Sequence, residues 1–200
     1  MNFFRMKIKI CGIRSNEMMQ ACADAGVDYV GLNFVKSSKR FCSNVPEGRR
    51  VQRVGVFWNN PESEIQQKIE DYDLDIIQLY DADLVEKFQD KIPVWFALRV
   101  GGDDLEILKK IKPDLVLLDG SAPGSGQRVE EEKLKEAVNF VKNLGFEFGL
   151  AGGINVENIA EFRESFPAAK LLDTASGVED EAGGFSKDQL SLITEAFQSG

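Results

Sequence analysis

The chain has 200 residues and contains no histidine. Histidine is the commonest general base at neutral pH and the commonest metal ligand, so its absence removes both roles. Any acid–base chemistry must therefore use cysteine, aspartate, glutamate, lysine or tyrosine. The same absence disfavours metal-dependent phosphosugar epimerases, because these enzymes need histidine ligands.

The chain also lacks an apolar run that approaches the roughly 20 residues of a membrane span. Its formal net charge is −9, and it has no extended cluster of lysine and arginine. Because nucleic-acid binding needs a basic face, we expect neither a nucleic-acid partner nor a membrane partner. A small anionic substrate remains compatible with this charge, since local hydrogen-bond donors can bind it.

Cysteine is scarce: only Cys11, Cys22 and Cys42 are present. Their number is odd, and they lack the close spacing of metal-binding cysteines. No leader segment with a charged and then an apolar part precedes the first apolar run. A reducing cytoplasm fits this usage best. The length suits one domain with a sizeable core, so we expect residues 1–200 to form a single domain.

Short apolar or β-branched runs alternate with segments of helical periodicity along most of the chain. Such alternation predicts an α/β fold with a parallel sheet covered by helices. Eight strands favour closure into a (β/α)8 TIM barrel. The predicted strands are Lys7–Ile13, Val27–Phe34, Val51–Trp58, Asp75–Leu79, Pro93–Val100, Leu115–Asp119, Phe146–Ala151 and Lys170–Thr174. The predicted helices include Asn16–Ala25, Glu62–Tyr72, Asp103–Ile111, Glu130–Leu144, Val156–Phe166 and Lys187–Gln198.

The second βα unit is the weakest of the predicted units. After Ser43, only Asn44–Arg50 is available for a helix, and this segment contains Pro46 and Gly48. Both residue types disfavour a helix interior. We therefore expect helix 2 of the barrel to be shortened or missing.

Two ionisable side chains stand where predicted strands end. Cys11 lies in Lys9-Ile10-Cys11-Gly12-Ile13, and Asp119 ends the run Leu115-Val116-Leu117-Leu118. Active sites of such barrels lie at the carboxyl ends of the strands, where a thiol and a carboxylate can form an acid–base couple. Each residue alone also fits a structural role, with Cys11 as a small buried side chain and Asp119 as a helix cap or loop brace.

Glycines follow the last two predicted strands. Gly152 and Gly153 come after the seventh strand, and Ser176 and Gly177 come after the eighth. Barrels use these loops to bind phosphate, because glycine lets backbone N–H groups approach the anion. Glycines can also simply terminate strands, but two such loops together favour a phosphate site. A Rossmann site is disfavoured, because no Gly-x-Gly-x-x-Gly follows the first strand.

Two further loops carry candidate binding residues. Arg40 follows the second strand within Lys36-Ser37-Ser38-Lys39-Arg40, where it can fork onto a carboxylate or cover an aromatic ring. A solvated run of charge is the alternative interpretation. Gly124-Ser125-Gly126 follows the sixth strand and forms a flexible loop that could close over a ligand.

The order and spacing of these segments resemble the phosphoribosylanthranilate isomerase family of tryptophan biosynthesis, from Lys7 to Asp188. The resemblance implies an isomerase, an intramolecular oxidoreductase that works without a cofactor. The implied substrate is small and phosphorylated, and we expect the protein to be a monomer or a homodimer. The reaction is the Amadori rearrangement of N-(5-phosphoribosyl)anthranilate to 1-(2-carboxyphenylamino)-1-deoxyribulose 5-phosphate.

The resemblance also implies roles for individual residues. Cys11 matches the general base of the family's Lys-Ile-Cys-Gly motif, and Asp119 matches its general acid. In these roles Asp119 protonates the furanose ring oxygen, and the thiolate of Cys11 removes the C2 proton. Arg40 corresponds to a substrate-contacting arginine. The residues that correspond to the phosphate loops are Gly152, Gly153, Ser176 and Gly177.

The chain departs from the family after the fourth strand, where Gln78-Leu79-Tyr80-Asp81 replaces the usual Gln-Leu-His-Gly. This change affects the fit of the substrate more than the catalytic pair. Two alternatives remain open: a catalytically idle phosphate-binding barrel, and an isomerase of a related phosphosugar. Loss of Cys11 or Asp119 would favour the idle barrel, and the sequence retains both.

Overall fold

A computed structural model describes residues 5–48, 50–120 and 131–199. Its eight strands pair in chain order as a closed barrel. Every pairing is parallel, including the one that joins the last strand to the first. The predicted TIM barrel is therefore confirmed. The strands are β1 (Lys7–Cys11), β2 (Tyr29–Asn33), β3 (Gln52–Phe57), β4 (Ile76–Leu79), β5 (Val94–Arg99), β6 (Leu115–Asp119), β7 (Phe148–Ala151) and β8 (Leu171–Thr174).

Helices follow most strands and cover the outside of the barrel. No helix in the described ranges is long and apolar enough to cross a bilayer. The α-helices are α1 (Asn16–Asp24), α2 (Glu62–Tyr72), α3 (Ala82–Phe88), α4 (Glu131–Asn143), α5 (Ile159–Ser165) and α6 (Lys187–Ser199). Short 3-10 turns cover Leu105–Lys109 and Ser176–Val178.

The structure corrects two helix predictions. The predicted helix Asp103–Ile111 is a 3-10 turn over Leu105–Lys109, whose first turn is capped when Asp104 accepts the Glu106 N–H at 2.9 Å. Pro113 follows within a few residues and limits the length available for an α-helix. Helix α3 was not among the predicted helices, because its seven residues give too short a periodic pattern.

The connection from β2 to β3 contains no helix within its described residues, as expected. Instead, the buried guanidinium of Arg53 on β3 holds this segment in place. It donates to the carbonyl oxygens of Pro46 at 2.8 Å and Gly48 at 2.7 Å, and to that of Tyr72 at the end of α2 at 2.9 Å. The bonds to Pro46 and Gly48 satisfy carbonyl groups that a helix in this connection would have paired internally, and the bond to Tyr72 satisfies a carbonyl at the end of α2.

The inside of the barrel is apolar at its base and polar at its mouth. A buried apolar cluster fills the interior and includes Leu115 and Leu117 of β6 and Leu171 of β8. Successive strand residues point to opposite faces, so the next inward position is two residues later. That position is Asp119 on β6 and Asp173 on β8. The strand pattern therefore directs these carboxylates toward the carboxyl-end mouth.

Candidate active site

A cavity of about 210 Å³ opens at the carboxyl ends of the strands. All predicted site residues line it except Gly177, which adjoins the lining residue Ser176. The barrel thus brings together side chains from loops that are far apart in sequence. The described lining residues are Cys11, Asn33, Arg40, Val56, Gln78, Tyr80, Leu117, Asp119, Ala151, Gly152, Gly153, Asp173, Thr174, Ala175 and Ser176.

Cys11 ends β1, and its thiol lies against β2. A Cβ atom added at Gly31 would approach the Cys11 sulfur to 2.7 Å, so glycine at this position provides the room for the thiol. Burial raises the pKa of Cys11, while the nearby charges of Lys9 and Arg40 oppose that rise. Two effects therefore oppose each other at Cys11: desolvation favours the neutral thiol, and the nearby cations favour the thiolate.

The other two cysteines lack this cationic setting. Burial raises the pKa of Cys22, within α1, to about 12. Burial also raises the pKa of Cys42, in the loop after β2, to about 11. Neither thiol lines the cavity at the barrel mouth. Both residues serve as internal comparisons for Cys11.

A buried ion pair forms the floor beside Cys11, and the sequence analysis did not identify it. Lys9 Nζ donates to Asp173 Oδ2 at 2.6 Å and to Gln78 Oε1 at 3.1 Å. Lys9 and Asp173 are direct partners in the register of β1 and β8. The strand alternation was the available signal, because it places Lys9 on the same face of β1 as Cys11.

Asp119 ends β6 on the wall of the cavity, near Tyr80. Burial raises the pKa of Tyr80, and the neighbouring charge of Asp119 adds to the rise. The phenol is therefore protonated at neutral pH. Gln78 Nε2 approaches its oxygen at 3.4 Å. Tyr80 can donate a hydrogen bond to a ligand, but it cannot act as a base.

Tyr80 also belongs to an aromatic wall at the mouth of the barrel. The ring centroids of Tyr80 and Trp58 lie 5.7 Å apart, and the Arg99 guanidinium lies 5.2 Å from the centroid of Trp58. Trp58 is one of two large apolar side chains that are exposed within the described residues, at 43% of its surface. Tyr80 thus gives the cavity an aromatic surface.

The glycine loops after β7 and β8 meet each other. Gly152 and Gly153 have φ angles of +93° and +68°. Residues with a Cβ atom are strained at such angles, whereas glycine is not. Thr174 Oγ1 at the end of β8 donates to the carbonyl of Ile154 at 2.6 Å. A Cβ atom at Gly177 would collide with that same carbonyl oxygen. The two loops are therefore packed backbone to backbone beside the cavity.

Arg40 occupies the mouth between the loops after β2 and β8. Its Nε and Nη2 atoms donate to the two oxygens of Glu179 at 2.7 and 2.9 Å. Lys39 also contacts Glu179, at 3.2 Å. Burial would raise the pKa of Glu179, but the bonds from Arg40 and Lys39 hold it below its ordinary value. The fork on Glu179 fixes the guanidinium at the cavity edge.

The predicted ligand-closing segment, Gly124-Ser125-Gly126, lies outside the described residues. Within the described ranges, no group of three or more histidine, cysteine, aspartate or glutamate side chains is arranged to hold a metal ion. The chemistry that the described cavity offers is therefore that of a thiol, carboxylates, a phenol, cations and backbone donors.

Comparison with protein families identifies one match over almost the whole chain. The family model described as N-(5'-phosphoribosyl)anthranilate (PRA) isomerase matches residues 8–198. A relative named N-(5'-phosphoribosyl)anthranilate isomerase from Streptococcus mutans is 31% identical over 186 residues, which cover 86% of this chain and 89% of the relative.

Solved structures show the same fold. A phosphoribosyl anthranilate isomerase from Thermus thermophilus superposes with a TM-score of 0.80 at 28% identity, covering 97% of this chain and 99% of that chain. A second isomerase was solved in complex with reduced 1-(o-carboxyphenylamino)-1-deoxyribulose 5-phosphate. It superposes with a TM-score of 0.74 at 24% identity, covering 98% of this chain and 100% of that chain.

Proposed function

Because the chain belongs to the N-(5'-phosphoribosyl)anthranilate isomerase family, we propose that the cavity at its barrel mouth is the active site, with Cys11 as general base and Asp119 as general acid. The chain is an isomerase of tryptophan biosynthesis. It converts N-(5-phosphoribosyl)anthranilate to 1-(2-carboxyphenylamino)-1-deoxyribulose 5-phosphate. The observation that carries the assignment of roles is that a thiol on β1 and a carboxylate on β6 line one cavity.

The proposed reaction moves protons in three steps. Asp119 gives a proton to the furanose ring oxygen, and the C1–O bond breaks to leave a protonated imine between C1 and the nitrogen. The thiolate of Cys11 then takes the proton from C2, which produces an enolamine. Finally, C1 gains a proton while the C2 hydroxyl loses one, so the ketone forms. Substrate and product are isomers, and no electrons leave the molecule.

The surroundings favour these two residues over the other ionisable groups of the described cavity. Lys9 is held as a cation by Asp173, so it cannot accept a proton, and the ion pair also engages Asp173. Tyr80 is protonated at neutral pH. Cys11 remains as the side chain that can ionise beside a cation and accept a carbon-bound proton.

The glycine loops would bind the phosphate of the substrate. Gly152 and Gly153 expose backbone at a point where a larger residue would be strained, and Gly177 packs directly against the same loop. Backbone N–H groups are suitable donors for a phosphate anion. The complex of a related isomerase with a reduced 5-phosphate compound supports a small phosphorylated ligand.

The anthranilate end of the substrate would lie toward the aromatic wall formed by Tyr80 and Trp58. An aromatic ring packs favourably against these rings, and the guanidinium of Arg40 is suited to a carboxylate. Arg40 is held at the cavity edge by Glu179.

The same evidence supports the proposals of domain and location. The family model spans residues 8–198, which supports a single domain over residues 1–200. All three cysteines are free. Free thiols persist in a reducing compartment, which supports the proposal that the protein works in the cytoplasm.

Substitution of Gly153 tests the phosphate site. We expect Gly153→Val to raise the KM for phosphoribosylanthranilate at least about tenfold, because one lost charge-assisted hydrogen bond has roughly this effect. Gly26→Val is the matched control, because Gly26 has a similar φ of +71° and does not line the cavity. Both variants place valine at a similar positive φ. An unchanged KM in Gly153→Val would show that these loops do not bind the phosphate of the substrate.

A turnover assay tests the function as a whole. The purified protein is mixed with freshly generated phosphoribosylanthranilate, and the loss of anthranilate-type fluorescence is followed with time. We expect enzyme-dependent loss of the signal with formation of the ketose product. An idle barrel would bind phosphate without turnover. An isomerase of a related phosphosugar would convert another aldose phosphate and leave this signal unchanged.

A further inference from the structure

Lys9 is a fully buried cation two residues before Cys11 on β1. Its side chain has 0% exposure. Burial of an ammonium group is costly unless it is paired and hydrogen-bonded, so the barrel must compensate Lys9 from within. An apolar residue would fill the same interior at lower cost. The presence of lysine at this position therefore calls for a chemical explanation.

We propose that the Lys9 ammonium, held in place by Asp173 and Gln78, is the counter-ion that stabilises the thiolate of Cys11. Lys9 is then a positioning residue, because it acts through Cys11 and not on the substrate. This inference rests on the proposed role of Cys11 as the general base. The counter-ion explains how a buried sulfur can carry the negative charge that a base needs.

The hydrogen bonds of the ammonium group support this role. An ammonium has three N–H donors and no acceptor. One donor contacts Asp173 at 2.6 Å, and a second contacts Gln78 at 3.1 Å. The remaining interaction is with the sulfur of Cys11. The third donor is available to the sulfur of Cys11, and a thiolate accepts a hydrogen bond more strongly than a thiol.

The topology fixes these groups in one layer of the barrel. Lys9 and Cys11 are two residues apart on β1, so their side chains share the inner face. Asp173 is the register partner of Lys9 on β8, and Gln78 reaches across the interior from β4. Each contact comes from a strand and not from a loop, so the ammonium has little freedom to move away from the sulfur.

The charges around Cys11 act in opposite directions. Lys9 and Arg40 favour the thiolate, whereas Asp173 disfavours it. On its own, burial would lower the pKa of Lys9, but Asp173 and Cys11 more than offset this, so the pKa is raised and the group stays charged. Asp173 therefore has two effects: it keeps Lys9 protonated and also opposes the thiolate. Asp119 and Tyr80 face the same space from β6 and β4.

The proton balance is simple. Before the substrate is attacked, the thiol of Cys11 loses its proton to water in the cavity. The thiolate later takes the C2 proton of the substrate and becomes a thiol again. Lys9 keeps its proton in both states. Its role is to lower the cost of the charged sulfur between these two events.

Titration of Cys11 in the free enzyme tests the proposal. In a Cys22→Ser/Cys42→Ser background, the rate of alkylation of Cys11 by iodoacetamide is measured against pH. We expect Lys9→Met to raise the apparent pKa of Cys11 by about one to three pH units, which follows from removing a unit charge at close range. The pH profile of kcat/KM should move to higher pH in the same direction.

Two further variants separate charge from packing. Lys7→Met is the matched control on the same strand, because Lys7 pairs with Asp28 at 2.8 Å and does not line the cavity. It should leave the titration of Cys11 unchanged. Asp173→Asn removes an opposing negative charge and should lower the apparent pKa of Cys11. If the variants acted through lost packing and not through charge, Lys9→Met and Asp173→Asn would shift the apparent pKa of Cys11 in the same direction.

An unchanged titration in Lys9→Met, or a rise in both Lys9→Met and Asp173→Asn, would overturn the proposal. In Lys9→Met the carboxylate of Asp173 is left buried without its partner, which can prevent folding. In that case the double variant Lys9→Met/Asp173→Asn is used, because it removes both charges. Lys9 shares the inner face of β1 with Cys11, whereas Asp173 lies on the neighbouring strand and is bonded to Lys9, so the double variant should still titrate above the parent. A parent-like or lower value would also overturn it. Alkylation needs no turnover, so its result is independent of whether Cys11 is the base.

Discussion

Replacing Cys11 with serine should lower kcat by roughly two to four orders of magnitude, the usual range for the loss of one positioned proton-transfer group. Serine keeps the size and polarity of the residue, and the room next to Gly31 accommodates it. A hydroxyl is far harder to ionise than a thiol, so a serine beside Lys9 does not become an alkoxide at neutral pH. The KM should change little, because the substrate is bound by other groups.

Cys22→Ser and Cys42→Ser provide the controls for this experiment. Both residues are buried, and neither lines the cavity. We expect these variants to lose some thermal stability and to retain most of their turnover, measured by the same fluorescence assay. Near-normal turnover in Cys11→Ser would refute the assignment of Cys11 as base. A similar loss in all three variants would indicate a general effect on folding.

Asp119→Asn is expected to have an effect of similar size, with kcat reduced by roughly two to four orders of magnitude. The amide keeps the shape of the side chain at the end of β6 but cannot give a proton to the furanose ring oxygen. Ring opening then lacks its acid. The control is Asp114→Asn at the opposite end of the same strand, where the carboxylate accepts the Val94 N–H at 2.7 Å and does not line the cavity. Normal turnover in Asp119→Asn would show that another group is the general acid.

The double variant Cys11→Ala/Asp119→Asn tests whether the two residues act as a unit. Two groups that serve one reaction sequence are strongly non-additive, because the double variant cannot lose the same catalysis twice. We expect its kcat to lie close to that of the slower single variant. Full multiplication of the two losses would indicate that the residues act in independent processes.

The barrel could be predicted from the sequence because its signals are local. Each strand is a short apolar run, and the helical segments between the runs carry their own periodicity. Pro46 and Gly48 likewise predicted that the connection from β2 to β3 lacks a helix, and its described residues contain none. The 3-10 turn at Leu105–Lys109 and the short helix α3 were harder to predict, since an element of one or two turns offers few periodic positions.

The candidate site could be predicted only in part. The strand-end positions of Cys11 and Asp119 follow from the order of the runs. The pairing of Lys9 with Asp173 spans 164 residues and exists only because β8 closes onto β1. The fork of Arg40 on Glu179 spans 139 residues for the same reason. Strand alternation can place Lys9 on the inner face, but it does not identify the partner, since each partner alone resembles an ordinary charged residue.

The release of deuterium from the substrate measures the proposed role of Cys11 most directly. Phosphoribosylanthranilate labelled with deuterium at C2 is incubated with the wild-type enzyme and with Cys11→Ser, and the label that enters the water is followed with time. The wild-type enzyme should release the label as it forms product. Cys11→Ser should retain it at C2, with release slowed by roughly two to four orders of magnitude. Release of the label by Cys11→Ser at the wild-type rate would contradict the role of Cys11 as the base that removes the C2 proton.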